Sequence, residues 1–237
     1  MRNDLVVLLL ASLVSYPLGL ALRQPWLLPV LNALPAYIVL VHRMRKGERG
    51  GAVRAMLWWA ATLALVGTLA FVWWPAPIGP VVVNGPEYND EMFHWIRTGI
   101  GREGSPRLFL PQHLLHLAAF VAIGIATMSA GAILMGALLM NQMSYYVASL
   151  AKAGVPAWAV TLLGWQPWAI ARVAAFSTLG VLLAEPLLLR LFPAARERLR
   201  VGRAAYIMAA MSGILTDWFL KALFAPLWGH WLRALLP

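Results

Sequence analysis

Long apolar runs separated by short polar segments dominate this chain. A run of about 20 apolar residues is long enough to cross the hydrocarbon core of a bilayer as a helix. The apolar runs are residues 5–22, 26–41, 55–74, two within 108–150, 168–191 and 204–224, of which 26–41 is short and interrupted by Pro29 and Pro35. The pattern therefore predicts an all-α polytopic transmembrane bundle of about seven spans, with residues 1–237 forming a single membrane domain.

Two of these runs need interpretation. The run 108–150 is about twice the length of one span, and we divide it near Ser129–Gly131 into two helices. One very long bent helix is the alternative. The first run, residues 5–22, resembles the apolar part of a signal peptide, but no small-x-small cleavage pattern follows it. We therefore interpret it as a retained span.

Composition supports a membrane protein and excludes a soluble domain. The chain is 61% hydrophobic and 12% charged, whereas soluble domains carry about 25% charged residues. The net charge of +10 comes largely from two short basic loops, residues 42–54 and 190–203. Short basic loops between spans indicate topology and headgroup contact, so we predict a lipid-bilayer partner and no nucleic acid. The absence of cysteine excludes disulfides and thiolate metal sites.

The charge pattern also predicts an orientation. Both basic loops fall on the same side of the predicted bundle, and cytoplasmic loops are the ones enriched in Lys and Arg. We therefore place the protein in the inner (plasma) membrane of the cell, with a cytoplasmic N-terminus and an external C-terminus. Residues 75–107 then form an outer loop.

The outer loop contains a predicted amphipathic surface helix, residues 86–98. At 100° per residue, its acidic residues and histidine fall within an arc of about 100°. Aromatic and aliphatic residues occupy the other side of the helix. The polar face consists of Glu87, Asp90, Glu91 and His94.

Two helix faces in this region have the spacing of metal ligands. Asp90 and Glu91 precede His94 by four and three residues, and His113 lies three residues before His116. Each group shares one helix face, so two segments together predict a four-ligand site for a divalent transition metal (zinc, iron, copper or manganese). The alternative needs no metal, because acids are common at helix N-termini and interfacial histidines bond to lipid phosphate.

Ionisable residues within the predicted spans are further candidates. Asp217 precedes Lys221 by four residues, which favours a local ion pair; alternatively, Asp217 reaches into the bundle, with Arg172 as its partner. Glu185 is expected to pair with a nearby cation such as Arg190.

Two functions of different classes fit these patterns. The first is a metal-dependent, hydrolase-like membrane enzyme at the outer face, with Glu87 and Asp217 as the candidate catalytic carboxylates. The second is a non-catalytic permease or a membrane subunit of a larger complex. Its partner subunits or cargo would bind the same residues.

Overall fold

The computed structural model describes residues 2–237, and this part of the chain is all-helical, with 84% of its residues in helices and no strand. Single 3-10 turns lie at Gly79–Val81 and Pro193–Ala195. The α-helices in chain order are α1 (Arg2–Leu22), α2 (Leu27–Arg45), α3 (Arg49–Trp73), α4 (Gly85–Thr98), α5 (Pro106–Ala126), α6 (Ala130–Lys152), α7 (Ala157–Leu163), α8 (Pro167–Leu191), α9 (Arg196–Arg200) and α10 (Arg203–Leu235).

Seven of these helices are long and apolar enough to cross a membrane: α1, α2, α3, α5, α6, α8 and α10. The predicted helical bundle of about seven spans is therefore confirmed. The chain is an integral membrane protein whose apolar helices are suited to a lipid environment.

The two largest differences from the predicted span boundaries are in α3 and α10. Helix α3 begins at Arg49 rather than at Ala55, because Arg49 points into the bundle and is itself buried. Helix α10 does not end at Phe224 but continues to Leu235. Its last turns bury Leu232 against α4, which explains why the C-terminal segment stays helical.

The long apolar run is two helices, as the division near Ser129–Gly131 predicts. Helix α5 ends at Ala126, and Met128 and Ser129 then adopt left-handed backbone conformations, with φ of 51° and 66°. The buried Ser129 hydroxyl donates a hydrogen bond of 2.5 Å to the Gly180 carbonyl of α8. This bond anchors the turn to the bundle and compensates for its unfavourable backbone.

A polar network joins α1, α2 and α6 inside the bundle. The Tyr16 hydroxyl and the Asn32 amide both donate to Asn141 Oδ1, at 2.8 and 3.1 Å. Hydrogen bonds between helices hold membrane bundles together because apolar contacts alone compete with equally apolar lipid. Asn141 of α6 therefore links α6 to both α1 and α2.

The two basic segments meet at one end of the bundle, which we call the basic end. There the buried Glu185 carboxylate accepts a hydrogen bond of 2.5 Å from Arg49. It also forms an ion pair with Arg203, whose Nε lies 3.0 Å from Glu185 Oε2. The expected pairing of Glu185 with a cation is confirmed, but its partners are Arg49 and Arg203 rather than Arg190, which is exposed. Arg49 also donates to the Leu199 carbonyl, so one buried pair ties α3, α8 and the α9 segment together.

Helix α4 lies at the opposite end and is amphipathic, as predicted. Its apolar face packs into the bundle through Met92, Phe93, Trp95 and Ile96, all of them buried. The helix contacts α6 and α10. It therefore caps the end of the bundle remote from the basic end.

Candidate functional site

A cavity of about 190 Å³ lies inside the bundle, and its wall is mainly apolar. It is lined along α8 from Trp168 to Val181, a stretch of 14 residues that corresponds to about 20 Å of helix. It reaches Leu40 and Met56, near the basic end of α2 and α3. Its ionisable wall residues are Glu103, His113, His116, Arg172 and Asp217.

The ionisable residues gather at the α4 end of the cavity, and we call them, together with Lys221, the charged cluster. Asp217 is its centre and is buried in α10. The Arg172 guanidinium donates two hydrogen bonds to the two Asp217 carboxylate oxygens, each 2.9 Å long. This bidentate geometry fixes the position of the carboxylate and neutralises its charge away from water.

Lys221 pairs with a residue of the loop between α4 and α5 rather than with Asp217. Its ammonium lies 2.7 Å from Glu103 Oε1, and the Lys221 side chain is 1% exposed. Burial by itself raises the pKa of Glu103, but the charges of Lys221 and Arg172 outweigh it and hold that pKa below its ordinary value. The expected local Asp217–Lys221 pair was therefore wrong, and the alternative with Arg172 is confirmed.

His113 brings an imidazole to the charged cluster. It lies in the second turn of α5, and its Nδ1 is 3.6 Å from Asp217 Oδ2. The Phe109 ring packs beside the imidazole, with the ring centroids 5.2 Å apart. No hydrogen-bond partner for this buried Nδ1 occurs within residues 2–237. His116, one turn further, also lines the cavity and is half-buried.

Other polar side chains complete this end of the cavity. The buried Gln166 precedes α8, and its Nε2 has no partner in the described part of the chain. Tyr88 of α4 donates to Met143 Sδ at 3.4 Å, and burial raises the pKa of this phenol. This end of the cavity therefore presents hydrogen-bonding groups, whereas the rest of the cavity wall is mainly apolar.

The acids and the histidine predicted on the surface helix lie elsewhere. Glu87, Asp90 and His94 are exposed on α4, and Glu91 is 3.3 Å from Arg102. None of these four residues lines the cavity.

The structure thus brings together only His113 and His116 from the predicted metal ligands, along with Asp217 from the predicted catalytic pair. Over residues 2–237, no group of three or more His, Cys, Asp or Glu side chains is arranged to hold a metal ion. The ligand set remains a prediction.

Glu103 is the functional candidate that sequence reasoning missed. It lies in an irregular loop, where no helical periodicity assigns it a face. Lys221 was the available signal, since a lysine within a span needs an anionic partner. The partner is 118 residues away, and nothing in the local pattern identifies it.

The arrangement is suited to acid–base chemistry. An imidazole beside a fixed carboxylate can take up a proton, and the carboxylate then stabilises the imidazolium. The long apolar wall is suited to a hydrocarbon chain, and the charged cluster to a polar group at its end.

Comparison with known proteins adds no relative: no family model matches the chain, and neither a curated protein nor a solved structure matches it.

Proposed function

We propose that the protein is an integral membrane enzyme that binds a lipid-like molecule in the cavity and hydrolyses a bond at its polar group. The observation that carries this proposal is the buried imidazole of His113, held beside Asp217 on the wall of an apolar cavity. His113 acts as the general base, and Asp217, fixed by Arg172, stabilises the imidazolium that forms.

The proposed step uses water as the second reactant. His113 takes one proton from water as the water oxygen bonds to the acyl or phosphoryl centre of the substrate. The bond to the leaving oxygen then breaks, and that oxygen receives the proton from the imidazolium. Water gains access from the α4 end of the cavity, where the polar groups gather.

Hydrolysis is tested with protein reconstituted into phospholipid vesicles in ¹⁸O-labelled water. Mass spectrometry of the lipid extract is expected to show ¹⁸O in a released acid or phosphate. His113→Gln is expected to lower the rate by about 100-fold or more, the usual contribution of a general base. His230→Gln is the matched control, because His230 is exposed and lies outside the cavity. Full activity of His113→Gln would contradict the role of the imidazole.

The predicted metal enters this proposal as a second way to activate water. Of the predicted ligands, His113 and His116 line the cavity, and imidazole nitrogen suits zinc, iron and copper. Metal analysis of the purified protein tests this version. Stoichiometric metal that disappears in the His113→Ala/His116→Ala double variant would support it, while active protein free of metal would contradict it.

A carrier or a membrane subunit with partner proteins is the second candidate. It is favoured by the depth of the cavity, which extends from the charged cluster to Leu40 near the basic end. Transfer of a fluorescent lipid between the leaflets of vesicles tests the carrier. Transfer that persists in His113→Gln, without ¹⁸O incorporation by the unmodified protein, would favour it over the enzyme.

We also infer the placement of the protein in the cell. The protein lies in the plasma (inner) membrane of the cell, with its basic end in the cytoplasm. The charged cluster and α4 then face outward. The proposed reaction then takes place at the outer leaflet.

A further inference from the structure

An apolar crevice runs between α5 and α10 on the outside of the bundle. Its wall includes Leu110 of α5 and Leu215 and Phe219 of α10. Leu215 and Phe219 are 57% and 65% exposed, so this surface faces the hydrocarbon of a bilayer rather than other helices. The crevice is therefore open to lipid along the sides of two spans.

One side chain lines both this crevice and the internal cavity. Trp218 of α10 lines both of them. It is half-buried and adjoins Asp217 in sequence. Its side chain is thus part of the wall of both the lipid-facing crevice and the cavity.

The charged cluster lies directly behind the crevice. Phe109 of α5 lines the crevice, and its ring centroid is 4.7 Å from the Lys221 ammonium. The same ring packs on His113. A polar group carried on a chain in the crevice would therefore be one side chain away from the cluster.

The two helices that flank the crevice are the least packed of the later spans. Within an 18-residue apolar stretch of each span, only 17% is buried in α5 and 22% in α10, whereas 50% is buried in α8. Elements with few buried contacts separate at a low free-energy cost. Helix α10 packs mainly against α8, and α5 packs against α6 and α8, so opening the bundle between α5 and α10 breaks few contacts.

The α4 end offers a hydrocarbon chain no comparable route. There Glu103 lines the cavity and is held by Lys221, which fixes the α4–α5 loop against α10. An apolar chain that passed this way would have to cross the charged cluster, which is unfavourable.

We propose that α5 and α10 form a lateral gate, with Trp218 as the gating residue, through which the hydrocarbon chain of a membrane lipid passes from the bilayer into the cavity. This proposal rests on the proposed binding of a lipid-like molecule and adds its source and route. The occupant is a lipid chain, because the crevice is apolar and opens on the membrane-facing side of the spans.

The test uses a photoactivatable phosphatidylglycerol, with a diazirine at the end of one acyl chain, in phosphatidylcholine vesicles. Because the natural chain has no cysteine, the double variant Leu110→Cys/Leu215→Cys can be joined across the crevice with a short, reducible bis-thiosulfonate linker. Labelling is mapped by mass spectrometry of peptides that contain Met140 or Val181, both of which line the cavity and are buried. The single-cysteine variants treated with the same reagent are the controls.

The linked protein is expected to show at least a tenfold loss of label at Met140 and Val181, and reduction of the linker is expected to restore it. Label near Phe219, on the lipid-facing surface, is expected to remain. Cavity labelling that persists in fully linked protein would overturn the gate and leave the proposed function standing. Absence of cavity label from the unmodified protein would overturn the proposed function as well.

A second measurement does not depend on linking the helices. Trp218→Ala is expected to raise the initial rate of cavity labelling several-fold, because it removes a side chain that lines both crevice and cavity. Trp231→Ala, an exposed tryptophan later in α10 that lines neither space, is the matched control. An unchanged rate in Trp218→Ala would contradict the role of this indole.

Discussion

At the scale of single residues, the structure pairs each buried acid with a cation from a different part of the chain. Asp217 of α10 is held by Arg172 of α8, and Glu185 of α8 is held by Arg49 of α3. A buried charge without a partner is strongly destabilising, and in a membrane the neighbouring lipid offers none. These pairs therefore fix the relative positions of the helices that carry them.

Glu103 makes stability depend on pH. Lys221 and Arg172 hold its pKa below the ordinary 4.5 despite burial. Because the pKa of Glu103 is lower in the folded state, its ionised form stabilises the fold above about pH 4.5. This contribution is lost as the pH falls through the folded-state pKa of Glu103. The thermal midpoint of the protein in detergent is therefore expected to fall as the pH is lowered from that point.

Glu103→Gln isolates this contribution. The variant is expected to unfold at a lower temperature than the unmodified protein at neutral pH, and the difference should shrink as the pH falls below 4.5. Glu87→Gln, on the exposed face of α4, is the matched control. A midpoint difference in Glu103→Gln that stayed constant down to strong acid would show that the Lys221 pair is not its source.

At the scale of helices, α8 and α10 carry Arg172 and Asp217 and pack closely against each other. A methyl group added at Gly213 of α10 would lie 2.8 Å from the Ala175 Cβ of α8. Ala175 is buried and short, so it has no flexible side chain to move aside. The absence of a side chain at Gly213 thus allows the distance at which the Arg172–Asp217 pair forms.

Gly213→Ala is expected to lower the free energy of unfolding by about 1–3 kcal/mol, the usual cost of overpacking. Gly180→Ala on α8 is the matched control, because its new methyl group would lie 3.5 Å from Phe120, an ordinary contact. Alanine favours helix over glycine, so the control is expected to be neutral or slightly stabilising. Equal stability of the two variants in chemical denaturation would contradict the steric argument.

Helix α4 shows what the hydrophobic periodicity of a sequence can and cannot predict. Its pattern predicts both the helix and its two faces, and the buried Met92 and Trp95 confirm them. The same pattern does not tell what the polar face contacts. The structure leaves Asp90 and His94 exposed, outside the cavity that contains His113.

At the scale of the whole molecule, charge is distributed unequally between the two ends of the bundle. Exposed cations concentrate at the basic end, which includes Arg198 and Arg200 of α9, and Arg198 donates to the Lys46 carbonyl of the α2–α3 connection. The charged cluster and α4 occupy the other end. The positive-inside rule then predicts a cytoplasmic basic end.

Single-cysteine variants test this orientation, since the natural chain contains no cysteine to interfere. His230→Cys, at the α4 end, is expected to react with a membrane-impermeant maleimide in intact cells. Arg200→Cys, at the basic end, is expected to react only after the cells are permeabilised. Both positions are exposed on the protein. Labelling in the opposite order would place the basic end outside.

The spans, the helix break at Ser129, the common end of the two basic loops and the two faces of α4 follow from the sequence. They do so because a bilayer requires long apolar helices, and because a helix beside water must separate its polar and apolar sides. The partners of Asp217 and Lys221, the cavity and the lateral crevice depend on tertiary structure. Lipid and bundle interior are equally apolar, so hydropathy does not tell which side of a span packs against its neighbours. Only the packed helices bring Arg172 to Asp217, 45 residues away, and Glu103 to Lys221.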